Sequence, residues 1–109
     1  MDTVKVLAQV KPAATTLTAA YTVPANKSAT VSSLVVCNTA ASVSYFRVSV
    51  CVAGAADDLK QYLYYDLPID SNDTFIATIG LTLAATDVIK VRSSDGNLAF
   101  NFSGIELTQ

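Results

Sequence analysis

The side chains able to do chemistry in this chain are nine carboxylates, two thiols and five phenols, with no histidine. Without an imidazole, the usual general base and the base that activates a Ser or Cys nucleophile are both missing. Glu106 is the only glutamate, and the aspartates gather in turns, at Asp57-Asp58 and at Asp70 and Asp73. Acid–base work by carboxylates needs two of them held across a cleft, which turn clusters do not supply. Asp70, Asn72 and Asp73 have the oxygen chemistry for calcium, but a solvated turn whose side chains bond their own backbone accounts for them more simply. There is no glycine-rich phosphate loop. The expectation is a chain with no catalytic residue, no cofactor and no metal.

The thiols point the same way. Cys37 and Cys51 fall in two consecutive predicted strands joined by a short loop. A turn at Ala40-Ala41 would set Cys37 opposite Ser44 and Cys51 opposite Thr30, too far apart for the roughly 4.4 to 6.8 Å that a disulfide spans. Two reduced, buried thiols serving as small apolar fillers are expected. No CxxC spacing suggests a metal.

The phenols say more. Tyr62, Tyr64 and Tyr65 flank Leu63 in one short segment. In a regular strand Tyr62 and Tyr64 share one face, and Leu63 and Tyr65 the other. Tyrosine is favoured where an apolar body meets a partner and its hydroxyl meets water. A core strand with a tyrosine at each end is the alternative reading, and a carbohydrate platform a third.

The elements that must position these residues are strands. Apolar residues make up 51% of the chain and charged residues 15%, against roughly 25% charged in an ordinary soluble domain. The 109 residues suit one domain with one core. Ala, Val, Ser and Thr dominate, a mixture that suits pleated, half-buried strands. Low surface charge also suits a surface covered by neighbouring chains, because interface centres are depleted in charge. A net charge of −2 with scattered Lys and Arg argues against nucleic acid. No run approaches the ~20 apolar residues of a membrane helix. The start Met1-Asp2-Thr3-Val4-Lys5 lacks the pattern of a secretory signal, so synthesis in a cytosol is expected. The three Asn-x-Ser/Thr triplets, beginning at Asn26, Asn72 and Asn101, then read as chance matches.

Strands are predicted over 4–10, 19–23, 29–38, 44–52, 61–67, 74–83, 88–93 and 98–102, with 105–107 extending the last. Pro24, Pro68 and the 70–73 cluster mark turns. Residues 53–60 read as a loop or one helical turn, and Gly80 as a bulge. Within 44–52, alternation sends Phe46, Val48, Val50 and Val52 one way and Tyr45, Arg47, Ser49 and Cys51 the other. Ser94-Asp95-Gly96-Asn97 looks like a type I′ hairpin turn that would pair Arg92 with Ala99 and Val91 with Phe100. Seven to eight short strands with turn signals about every ten residues predict an all-β antiparallel sandwich, jelly-roll-like, as a single domain over 1–109. Residues 1–24 form either an ordinary first strand or an extended arm exchanged between protomers.

The stretch 17–38, with "YTVPA" leading into "VSSLVVCN", resembles a pattern common in small structural proteins of tailed bacteriophages. The segments "FRVSV", "KQYLYYDLP", "NDTF" and "GLTL" are similar to the same group, so the resemblance spans most of the chain. It implies a virion protein made in the bacterial host cytoplasm, of the capsid decoration (cement) type, a homotrimer bound to the major capsid protein on the capsid surface. It brings no catalytic residues. Residues expected at protein–protein interfaces are Val4, Val6, Tyr21, Tyr62, Tyr64 and Tyr65. A tail, baseplate or fibre subunit is the alternative within the structural class, and a small carbohydrate-binding host-attachment module the alternative outside it.

Overall fold

The computed structural model describes residues 3–108. Eight strands form: β1 (Thr3–Val10), β2 (Thr18–Thr22), β3 (Lys27–Asn38), β4 (Ser44–Cys51), β5 (Tyr62–Ile69), β6 (Thr74–Leu83), β7 (Val88–Ser93) and β8 (Leu98–Thr108). The predicted segments match these closely, because polar turn residues punctuate β-branched runs. The stretch 52–61 holds two single turns of 3₁₀ helix, Val52–Gly54 and Leu59–Gln61, with irregular chain between them. The second is capped by Asp58, whose carboxylate accepts from the Lys60 N–H while Gln61 reaches back to the Asp58 N–H.

The strands make two four-stranded antiparallel sheets, ordered β1-β8-β3-β6 and β2-β7-β4-β5. The pairs are β1–β8, β2–β7, β3–β6 and β4–β5, as if one long hairpin had been folded and rolled into a sandwich; this is jelly-roll topology. Every consecutive pair except β4 and β5 therefore crosses between sheets.

That crossing corrects two expectations. β3 and β4 do not form a hairpin, so Cys37 and Cys51 are separated by sheet membership rather than by register. Both are free thiols; Cys51 is buried, while Cys37 is only half-buried. Nor do β7 and β8 pair: Arg92 lies opposite Arg47 in one sheet, and Phe100 opposite Val36 and Val10 in the other. Of the two central residues of the expected type I′ turn only Gly96 has positive φ. Asp95 instead accepts from Ser44 Oγ (2.7 Å) and the Asn97 N–H (3.0 Å), and the loop packs on Ala14. Asp-Gly here bridges two sheets.

The core lies between the sheets. Leu34, Val36, Phe100 and Phe102 from one sheet meet Phe46, Val48, Ile89 and Val91 from the other, all fully buried. Tyr64 and Phe75 join Phe46 and Phe100 in an aromatic cluster with centroids 5.3 to 5.9 Å apart. Gly104 on β8 passes so close to β3 that a Cβ there would fall 2.0 Å from the Thr30 carbonyl oxygen. At the β3–β4 crossing, buried Asn38 donates to the carbonyls of Ser42, Ile69 and Asp70 and accepts from the Ala40 N–H. It ties that loop to the turn after β5.

Candidate interaction surfaces

Sandwich topology gives the molecule two broad outer faces, and register decides what each presents. On the β1-β8-β3-β6 sheet, cross-strand partners form outward rows. Val4, Ile105, Thr30 and Thr82 make one; Val6, Ser103, Ser33 and Thr78 the next; Gln9, Asn101, Val35 and Ile76 a third; Ala99, Cys37 and Thr74 a fourth. None of these residues is charged; at the margin, Lys11, one residue past β1, lines a depression with Gln9, Asn101 and Ala99. Ser33 and Ser103 share a hydroxyl–hydroxyl hydrogen bond (2.5 Å), and Gln9 donates to Asn101 (2.8 Å). Val4, Ile76 and Val6 stand 81%, 69% and 56% exposed. A shallow depression of about 540 Å³ is lined by Val4, Lys5, Val6, Thr30, Ser32 and Ile105.

Lys5 sits between Val4 and Val6 but belongs to the other face of the sheet. Its ammonium donates to the buried carboxylate of Glu106 (3.0 Å), which also accepts from the Tyr21 hydroxyl (2.5 Å) and lies 3.6 Å from Lys27. The Tyr21 bond first, and Lys5 second, hold the Glu106 carboxyl below the ordinary glutamate range. Burial, then the bond to Glu106, pushes the Tyr21 hydroxyl well above the ordinary phenol range, so it stays a donor. This cluster joins β1, β2, β3 and β8 across both sheets. Its groups satisfy one another, and its role is to clamp the edge strand β1 in place.

The opposite sheet presents a different surface. Arg47 and Arg92 are direct cross-strand partners, and Lys90 shares their face. Asp66 accepts a fork from Arg47 (2.7 and 3.0 Å), which holds its carboxyl below the ordinary aspartate range. The Arg47 guanidinium also lies 4.0 Å from the Tyr65 ring centre, and Tyr65 meets Tyr62 edge-on at 5.2 Å. Tyr62 donates to Asp57 (2.9 Å). A depression of about 450 Å³ is lined by Tyr45, Arg47, Asp66, Arg92 and Ser94.

The residues expected together at interfaces are thus parted. Val4 and Val6 lie on the uncharged face, and Tyr62 and Tyr65 on the basic one. Tyr21 is buried with Glu106, and Tyr64 packs in the core against Phe46 and Phe75. The parity expected for the tyrosines is corrected by two bulges in β5. The register against β4 skips Leu63, and slips again between Tyr64 and Leu67, where Asp66 takes φ +53. Tyr62 therefore joins Tyr65, and Tyr64 turns inward. Similarly, Ser49 and Cys51 follow the expected outward parity yet are buried, because the 3₁₀ excursion after β4 folds back; Gln61 Oε1 lies 3.4 Å from Cys51 Sγ. Arg92, Tyr45 and Ile76 escaped sequence reasoning. Only the pairing of distant strands sets Arg92 beside Arg47, or Ile76 beside Val35.

No model of a protein family matches the chain, and no curated protein sequence matches it.

Proposed function

We propose that this protein is a non-enzymatic structural subunit that works by packing against other protein chains, and specifically a capsid decoration protein of a tailed bacteriophage. In that role it binds the major capsid protein as a homotrimer on the virion surface. The observation that carries the assembly reading is the outer face of the β1-β8-β3-β6 sheet, whose strand rows carry no charge and which meets lysines, Lys5 and Lys11, only along its β1 edge. Four strands about 4.8 Å apart, each roughly ten residues long at about 3.3 Å per residue, span about 600 Å² in projection. With side chains standing from it, such a face approaches the roughly 800 Å² per partner of a stable protein–protein interface. Interface centres combine apolar side chains with small polar ones and exclude charge, and Val4, Val6, Val35 and Ile76 set among Ser, Thr, Asn and Gln fit that description. The virion assignment rests on the sequence resemblance alone. Its test is binding to phage heads stripped of accessory proteins. Saturable binding that raises the melting temperature of the shell supports it; a protein that leaves the shell unbound and its melting unchanged overturns it.

A further inference from the structure

We propose that the outer face of β4 and β7 carries a binding site for a carboxylate-bearing sugar, with Arg92 as its anion-binding group and Tyr45 as its stacking surface. Like charges directly opposite one another across strands destabilise a sheet, yet Arg47 and Arg92 are such a pair and Lys90 follows on the same face. A single carboxylate, Asp66, answers this group, and its fork is spent on Arg47. Among the described residues Arg92 makes no ion pair. The fold thus holds half-buried Arg92 beside a second arginine with only a through-space share of Asp66 and no hydrogen-bonded carboxylate of its own among those residues, in a chain whose net charge is −2.

The surroundings are preorganised. Arg47 is pinned by Asp66 and by the Tyr65 ring, and Asp66 reaches it through a bulge that places an aspartate in the left-handed region. Beside Arg92, Ser94 Oγ accepts from the Tyr45 N–H (3.0 Å), which fixes the wall of the recess. Tyr45 itself is 42% exposed. A recess of about 450 Å³ with one open aromatic side, one planar cation that makes no ion pair among the described residues, and hydroxyl and carboxylate groups at its rim has the size of a small-molecule site. A uronate-type sugar answers each feature: its carboxylate forks onto Arg92, its ring lies on Tyr45 and its hydroxyls meet Ser94 and Asp66. An acidic protein segment would match the charge but leave the aromatic side without a purpose, and three cations are too few for a nucleic-acid track. This site lies on the face opposite the proposed assembly surface, so either reading can fail alone.

The test is an NMR titration of the protein at low salt with methyl β-glucuronide, methyl β-glucoside, sodium acetate and a short poly-Glu peptide. Saturable shifts at Tyr45, Arg92 and Ser94 with the glucuronide are expected, with the other three probes at least tenfold weaker. Arg92→Gln and Tyr45→Ala should each weaken the glucuronide at least fivefold without changing the melting temperature. Equal binding of the glucoside would show that charge plays no part. Equal binding of acetate or the peptide would show that the ring plays none. Any of these, or an absence of saturable shifts, overturns the proposal.

Discussion

Glu106 shows how much a single side chain can organise in a molecule with few charges. It is the only glutamate, and its bonds to Tyr21 and Lys5 join both sheets. Because its folded-state pKa lies below the unfolded value, its stabilisation is fully present above about pH 4.3, the ordinary glutamate value, and is lost as pH falls through the folded value. Tyr21→Phe removes a hydrogen bond to a charged group and should cost about 1.5–3 kcal/mol at pH 7. Thermal melts of both proteins from pH 7 to pH 3 should show that difference shrinking in acid; a gap independent of pH would mean that the charge of Glu106 is not what Tyr21 serves. Ser49 gives the opposite sign. Its hydroxyl is the one buried side-chain polar atom without a partner among the described residues. A buried hydroxyl lacking a hydrogen bond costs about 1–3 kcal/mol, so Ser49→Ala should hold or raise the melting temperature, where most core truncations lower it. Neither effect was legible in the sequence, which places Glu106 near the end of a strand and Ser49 on a solvent face.

At the scale of elements, strand positions were readable and strand partners were not. Alternation and turn residues are local, so β3, β4, β6 and β7 stand where period and punctuation put them, and Gly80, with φ +56, sits at a register shift of β6 against β3 as its position suggested. Pairing is not local. Ser94-Asp95-Gly96-Asn97 carries a hairpin signal, yet its flanking strands belong to opposite sheets, because a jelly roll pairs β7 with β2 and β4, and β8 with β1 and β3. The one consecutive pair in the fold, β4 and β5, is joined by the longest connection and bears no tight-turn signal at all. Bulges defeated parity for the same reason, since the slip that parts Tyr62 from Tyr64 depends on how β5 meets β4. Close packing of distant strands also makes a prediction. Gly104→Ala drives a methyl into the Thr30 carbonyl, where only backbone can yield. Overpacking of this kind costs about 1–3 kcal/mol or more, to be read from urea denaturation midpoints. The conservative exposed change Thr82→Ser in the same sheet should be nearly neutral beside it.

For the molecule as a whole, the distribution of charge matters more than its total. A net charge of −2 and a low charged fraction describe a bland surface. The fold divides that surface into a face whose strand rows carry no ions, with Lys5 and Lys11 only along its β1 edge, and a face that gathers Arg47, Lys90 and Arg92. The overall shortage of charge, visible in composition, pointed to coverage by neighbours; only the register shows which face is bare. β1 lies at one edge of that face, in its own sheet and paired with β8, so the edge it leaves open adjoins Val4 and Val6. Assembly through this face is the role proposed for the molecule. It is tested most directly by the molar mass in solution, from light scattering across a range of concentrations, of the wild-type chain and of an Ile76→Lys variant. Ile76 is exposed and outward, so the lysine should change the stability of the single chain by no more than about 0.5 kcal/mol. The wild-type mass should be three times the 11.4 kDa of one chain, and the variant should run as single chains. A wild-type protein that stays at the mass of one chain at every concentration, or a variant that assembles as well as the wild type, would contradict it.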